Sequence, residues 1–204
     1  TLVTSSETSA LNLRGGLVLI RAIQASLFEL SMQRNSLRAL CDRFSVIEGG
    51  IVNLNGFNSL QKLTVNDSTL AVTGEGIGQT ASGFAGGHVW VTMLPKAECV
   101  DIALLRGSVH VTVHTGTSGD RLPVAGALLY LDALGSEVKR MALSRNALKI
   151  DHAPPALQMS GGLAYVRCLA AAALTVEHSS VAVNFAGTSS RPTALGGLLV
   201  LQGA

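Results

Sequence analysis

A short apolar segment, in most cases led by glycine, recurs six times along this chain of 204 residues. The lead residues are Gly16, Gly50, Gly87, Ala127, Gly162 and Gly197. The intervals between them are 34, 37, 40, 35 and 35 residues, which is a nearly constant period. Self-similarity at such a period is typical of a solenoid, in which each repeat packs against its neighbours along the chain.

Apolar residues alternate with variable residues inside each segment. The positions two and four residues after the lead residue are apolar in every repeat. They are Val18, Val52, Val89, Leu129, Ala164 and Leu199, followed by Ile20, Leu54, Val91, Leu131, Val166 and Leu201. A period of two with one apolar face predicts a β-strand that is buried on one side.

A second apolar block follows the first strand in five of the repeats. It is interrupted by a small or polar residue, namely Asn35, Ser68, Gly107, Asn146 or Ser179. Asn and Gly tolerate a left-handed backbone and Ser forms local hydrogen bonds, so we expect a tight bend at these residues. Three strands per repeat without a helical period predict an all-β parallel β-helix.

Residues 1–204 are therefore expected to form a single β-helix solenoid of about five to six rungs, each of roughly 36 residues. A rung is one pass of the chain around the coil. The last repeat stops after one strand and neither end has a polar cap, so we expect a fragment of a longer repeat protein.

A leucine-rich repeat is the competing fold. Segments 27–37 and 138–148 follow its L-x-x-L-x-L-x-x-N-x-L consensus. That repeat spans about 20–29 residues, however, and contains a helix or 3₁₀ segment. Here an equally regular strand occupies the place of the helix, which favours the β-helix.

Composition and charge exclude several classes of function. The net charge is +2 and the Lys and Arg residues are scattered, so no nucleic-acid partner is expected. No apolar run is long enough to cross a membrane.

The three cysteines form neither a disulfide framework nor a zinc motif, and the five histidines lie at different phases of the repeat. His110 and His114 could share a loop, but no carboxylate or cysteine adjoins them at ligand spacing, so we expect no metal and no cofactor.

Stacked rungs turn each outward position into a column of side chains. One column of the second block reads Glu29, Lys62, Asp101, Arg140 and Ala173, and its alternating charges are expected to fix the register. A column of the first strand contains Trp90, Tyr130 and Tyr165, and the next outward column contains Thr92, Asp132 and Arg167. Aromatic groups bordered by polar groups suit a sugar chain or an extended partner. Ring stacking between rungs, with no ligand, is the alternative interpretation.

Catalytic chemistry has little support in the sequence. Glycoside hydrolysis requires two carboxylates, and only Asp132 projects from the first-strand face, where Arg167 is its expected ion-pair partner. We therefore expect a non-catalytic module for adhesion or for binding a glycan or matrix protein. A carbohydrate-active β-helix enzyme, either a polysaccharide lyase or a glycosidase, and a structural spacer are the alternatives. Asn66-Asp67-Ser68 is a candidate N-glycosylation site.

Several segments resemble those of known families. Gly-Gly-Leu-Val-Leu-Ile, Leu-Thr-Val-Asn-Asp-Ser-Thr-Leu and Met-Ala-Leu-Ser-Arg-Asn-Ala-Leu are similar to rungs of pectin-lyase-like right-handed β-helices. The Arg-Asn-x-Leu and Gly-Gly texture also resembles the large trypanosomatid surface proteins of the dispersed gene family. This resemblance implies a right-handed coil, a cell-surface or secreted location, a membrane anchor elsewhere and an adhesive role. It implies no catalytic residues.

Overall fold

The computed structural model describes residues 2–77, 83–114, 121–153, 156–185 and 193–202. Across these ranges the chain forms sixteen β-strands and no helix. The strands are β1 (Leu2–Arg14), β2 (Val18–Gln33), β3 (Ser36–Glu48), β4 (Val52–Asn66), β5 (Thr69–Ile77), β6 (Gly83–Ala85), β7 (Val89–Leu105), β8 (Ser108–Val113), β9 (Arg121–Ala125), β10 (Leu129–Ser144), β11 (Ala147–Ala153), β12 (Ala156–Ser160), β13 (Ala164–Glu177), β14 (Ser180–Phe185), β15 (Thr193–Leu195) and β16 (Leu199–Gln202). The absence of helix from these ranges rules against the leucine-rich repeat.

Every described strand pairing is parallel and joins equivalent positions of successive repeats. One sheet has the order β16-β13-β10-β7-β4-β2, and the other contains β14-β11-β8-β5-β3-β6-β9-β12-β15 with β1 on β3. The fold is therefore the predicted all-β parallel β-helix. Its described part makes about four turns from β2 to β13, fewer than the five to six rungs predicted. The difference arises because β1 and β16 belong to partial passes.

A glycine corner precedes each long strand. The first residue of each Gly-Gly or Gly-Ala pair has a φ between 52° and 60°. At Gly126 a Cβ atom would lie 2.0 Å from the carbonyl oxygen of Leu129, so no larger residue fits there. The second residue of the pair faces inward, and Ala127 shows that a methyl group is accommodated in one rung.

A second corner follows each long strand, and it differs in detail from the predicted bend. The left-handed residues are Arg34, Asp67, Arg106, Arg145 and His178, with φ between 48° and 56°. Each lies one residue before the predicted Asn, Ser or Gly. Two of the predicted residues, Ser68 and Asn146, point into the coil and are each 1% exposed. The predicted bend and the local hydrogen bond of Ser68 are confirmed, whereas left-handed backbone at Asn and Gly was wrong, because the preceding residue adopts it.

The two predicted apolar columns fill the interior of the coil. Val52, Val89, Leu129 and Ala164 are fully buried, one above the other, on β4, β7, β10 and β13. Burial of each Val or Leu side chain contributes about 1.5–3 kcal/mol. Cys41, Cys99 and Cys168 are also buried and unbridged, as expected for small core residues. The first residues of each long strand therefore have a fixed orientation, which positions the outward columns on the opposite face of each strand.

Candidate functional site

The three aromatic residues lie side by side on one outward surface, which we call the lead face: the outward side chains at the start of the long strands. Trp90 is on β7, Tyr130 on β10 and Tyr165 on β13, in the predicted register. The Trp90 and Tyr130 ring centroids are 4.1 Å apart and the planes differ by 12°. The Tyr130 and Tyr165 centroids are 5.2 Å apart and the planes differ by 10°. The rings therefore form a continuous parallel stack.

Stacking determines which parts of the rings a partner can reach. The inner ring faces lie against one another, and the outer neighbours in the column are Asn53 beside Trp90 and Val200 beside Tyr165. A ligand would therefore meet ring edges and the tyrosine hydroxyl groups, and would not find a free ring face. Burial, followed by the charge of Asp132, raises the pKa of Tyr130, which keeps its hydroxyl protonated as a donor.

The polar column lies beside the aromatic stack, as predicted. Thr92 Oγ1 donates to Asn55 Oδ1 at 2.8 Å, and Arg167 Nη1 donates to Asp132 Oδ2 at 3.2 Å. The Tyr165 hydroxyl donates to Gln202 Oε1 at 2.5 Å. The second carboxylate oxygen of Asp132 is buried and has no hydrogen-bond partner among the described residues. All six predicted lead-face residues are thus brought together on three adjacent strands.

An aliphatic border of the lead face was missed by the sequence analysis. Leu134 and Leu169 follow Asp132 and Arg167 by two residues and are 43% and 53% exposed. Extending the period-two pattern of outward residues two positions beyond Asp132 and Arg167 would have predicted them. The strand register shifts between Ala133 and Glu137, so the repeat alignment no longer pairs positions reliably at this point.

A second polar cluster corrects the expectation for His110. This residue lies on β8, not in a loop, and its Nε2 is 2.7 Å from Asp151 Oδ2 on β11. Lys149 Nζ is 2.6 Å from the same oxygen, and Asn184 Nδ2 donates to Asp151 Oδ1 at 2.7 Å. Lys149 first, then Asn184 and His110, lower the pKa of Asp151. The carboxylate is 41 residues from His110, which is why local spacing did not reveal it.

The alternating charge column is confirmed. Lys62 Nζ lies 2.7 Å from Glu29 Oε1, and Arg140 Nη2 lies 3.0 Å from Asp101 Oδ2. The hydrogen bond that Lys62 donates to Glu29, followed by the charge of Glu29, raises the pKa of Lys62. These pairs are exposed, so each contributes little stability and chiefly specifies register.

The glycosylation candidate lies at the second corner. Asn66 ends β4 and is half-buried, and its side-chain Oδ1 has no partner among the described residues. The Ser68 hydroxyl is buried and donates to the Asn66 carbonyl oxygen at 3.2 Å. Glycosylation of Asn66 remains a prediction.

Other candidate centres are absent from the described part of the chain. No group of three or more His, Cys, Asp or Glu side chains is arranged there to hold a metal ion. Within the same ranges, no helix has the length and apolar character needed to cross a membrane. Comparison with protein-family models, curated proteins and solved structures finds no match to this chain. Function is therefore argued from its own geometry.

Proposed function

We propose that this chain is a non-catalytic β-helix module of a cell-surface or secreted protein, and that its lead face binds an extended glycan or matrix protein. The observation that supports this is the continuity of the lead face. Three aromatic residues and three polar residues form two adjacent columns across β7, β10 and β13. The proposal includes a right-handed coil, because parallel crossover connections are almost always right-handed. It also includes a relationship to pectin-lyase-like β-helices and to trypanosomatid surface proteins.

The chemistry of the lead face suits a polymer lying along the coil. Hydroxyl groups of a sugar chain would bond to the remaining donors of Arg167, to the Thr92 hydroxyl and to the Tyr130 hydroxyl. The edges of Trp90 and Tyr130 would contact the apolar C–H groups of the sugar. Repetition at each rung provides several weak contacts, which together are strong enough for adhesion.

An enzyme fits the lead face less well. Two carboxylates on opposite sides of a scissile bond are the usual requirement for glycoside hydrolysis. Asp132 is the only carboxylate among the described side chains of the lead face, and it is bonded to Arg167. The contact with Arg167 occupies this carboxylate, and the described side chains of the lead face provide no second carboxylate across from it.

The test is binding of the purified chain to a panel of immobilised neutral oligosaccharides, laminin and fibronectin. The variant Arg167→Gln removes a guanidinium donor, and Tyr130→Phe removes a hydroxyl while keeping the stack. Each is expected to weaken binding roughly fivefold to tenfold, the effect of one lost hydrogen bond. Arg140→Gln, on the charge column, is the matched control and is expected to leave binding unchanged.

Two results would contradict the proposal. Wild-type chain that binds no member of the panel would leave only the structural spacer. Cleavage of pectin or another acidic polysaccharide, followed as new reducing or unsaturated ends, would establish the carbohydrate-active enzyme instead.

A further inference from the structure

The second corner contains an unusual set of residues. Six described non-glycine residues have a positive φ: Arg34, Asp67, Lys96, Arg106, Arg145 and His178. Five of the six are basic, and five of the six occupy the same position in successive rungs. Left-handed backbone is energetically costly for side chains other than Gly, and among the rest Asn, Asp and His adopt it most readily, so Arg34, Arg106 and Arg145 are the unusual residues.

The glycine corner provides a comparison within the same chain. Glycine occupies the left-handed position there in all six repeats: Gly15, Gly49, Gly86, Gly126, Gly161 and Gly196. The second corner carries glycine at this position in none of its five rungs, although glycine would relieve the backbone strain. The second corner keeps strained backbone that a glycine would relieve, which indicates that the side chains at this position have a role.

The side chains at this corner line up along the coil. Backbone hydrogen bonds join successive corners, as from Arg106 N to Ser144 O and from Arg145 N to Glu177 O, both at 2.9 Å. Strands stacked in this way are separated by about 4.8 Å. Arg34, Asp67, Arg106, Arg145 and His178 therefore form a row, which we call the corner ridge.

A shallow pocket of about 220 Å³ opens on the corner ridge. It is lined by Leu105, Arg106, Ser144, Arg145, Glu177 and His178 from three successive rungs. Asp67 holds the guanidinium of Arg106, with Nη2 to Oδ2 at 3.0 Å. Arg145 has no ion pair or side-chain hydrogen bond among the described residues, so its charge is available. Glu177 is the one carboxylate in the lining and lies in the rung beyond Arg145.

We propose that the corner ridge binds the sulfate or carboxylate groups of an acidic polysaccharide lying along the coil, with Arg145 as the central contact. Arg106 and the Ser144 hydroxyl flank an anion placed there, and Arg34 and His178 extend the row. The rise of one rung is comparable to the length of a sugar unit, so successive anionic groups meet successive corners. A nucleic acid is disfavoured because the cations form a single row along one corner, and not the broad basic surface that nucleic-acid backbones require. The corner ridge lies at the far end of the long strands from the lead face, so this inference stands apart from the proposed function.

Heparin and hyaluronan are the probes, as a sulfated and a carboxylated polysaccharide. The variant Arg145→Asn removes the cation and places at this corner a residue that adopts left-handed backbone more readily. Its heparin affinity at low salt is expected to fall roughly fivefold, while its melting temperature stays equal or rises. The double variant Arg34→Asn/Arg145→Asn is expected to lose more and to show a smaller dependence of affinity on salt.

Arg140→Asn is the matched control, because it removes the same charge from a neighbouring exposed column. Heparin affinity that is equal in wild type and Arg145→Asn, or that falls as much in Arg140→Asn, would overturn the proposal. Equally tight, Arg145-dependent binding of a duplex DNA would also overturn it, since the ridge would then recognise any polyanion. If Arg145→Asn weakens the binding of hyaluronan as well as that of heparin, the corner ridge recognises carboxylate groups and does not require sulfate.

Discussion

His88 shows how a single residue alters one rung without disturbing the coil. It occupies an inward position where other repeats carry Ile51, Leu128 and Leu163, and it is fully buried. Its Nε2 lies 2.8 Å from the Ser108 carbonyl oxygen, which makes Nε2 the protonated nitrogen. Nδ1 is buried and has no hydrogen-bond partner among the residues that the structure describes. Gly107 gives the ring its space, because a Cβ atom there would lie 2.9 Å from two imidazole atoms.

Burial of His88 predicts loss of stability in mild acid. Burial lowers its pKa to about 4 from an ordinary value of 6.5, because a charged imidazole is poorly solvated inside the coil. As pH falls from 6.5 to 4, the unfolded chain takes up this proton and the folded chain does not. The free energy of unfolding is therefore expected to fall by roughly 3 kcal/mol over this window, measured by urea denaturation.

The variant His88→Leu isolates this effect. It is expected to remove that part of the acid sensitivity, while His178→Gln, at an exposed histidine, is expected to retain it. Identical pH profiles for wild type and His88→Leu would show that another group controls acid stability.

At the scale of the element, the inward residues after the second corner hold adjacent rungs together. Asn146 Oδ1 accepts from Gly107 N at 2.8 Å, and its Nδ2 donates to the Leu104 carbonyl oxygen at 2.9 Å. In the next rung Ser179 Oγ accepts from Asn146 N at 3.1 Å. These bonds satisfy backbone groups that the corner leaves without a strand partner.

Removal of the Asn146 side chain is expected to destabilise the coil. Asn146→Ala leaves a buried N–H and a buried carbonyl group unsatisfied, which costs about 2–4 kcal/mol in the free energy of unfolding. Asn35→Ala is the matched control, because the buried Asn35 amide nitrogen has no partner in the described part of the chain and its loss is expected to cost much less. Denaturant unfolding of both variants is the measurement, and equal losses would contradict this role for Asn146.

The sequence determines the strand columns more reliably than the corners. Val52, Val89 and Leu129 alternate with a strict period of two, so their burial and register follow from pattern alone. The lead-face residues Trp90 and Asp132 inherit that register and were also placed correctly.

The left-handed residue Arg106 was missed because basic residues carry no strong preference for that backbone. The His110–Asp151 contact was missed because it joins distant segments outside the columns that were compared.

At the scale of the whole molecule, stability is expected to decrease towards both ends of the described coil. Central strands bury their inward side chains completely, whereas Leu30 on β2 and Val176 on β13 are only partly buried. In a solenoid each rung is stabilised mainly by its two neighbours, so a rung with one described neighbour has less support. The lead face and the pocket of the corner ridge both extend from the central strands β7 and β10 onto β13, so their β13 side is expected to be the less stable part.

The most direct test is the distance between residues that are far apart in sequence and a known number of rungs apart in space. Nitroxide labels at positions 38 and 182 and at positions 21 and 202 would be measured by pulsed electron paramagnetic resonance, with the three buried cysteines replaced by alanine. Stacked rungs predict backbone separations of about 19 Å for four steps and about 24 Å for five. The 21/202 separation is expected to exceed the 38/182 separation by about one strand spacing, roughly 5 Å. Equal separations, or a shorter one for the 21/202 pair, would contradict the stacked coil.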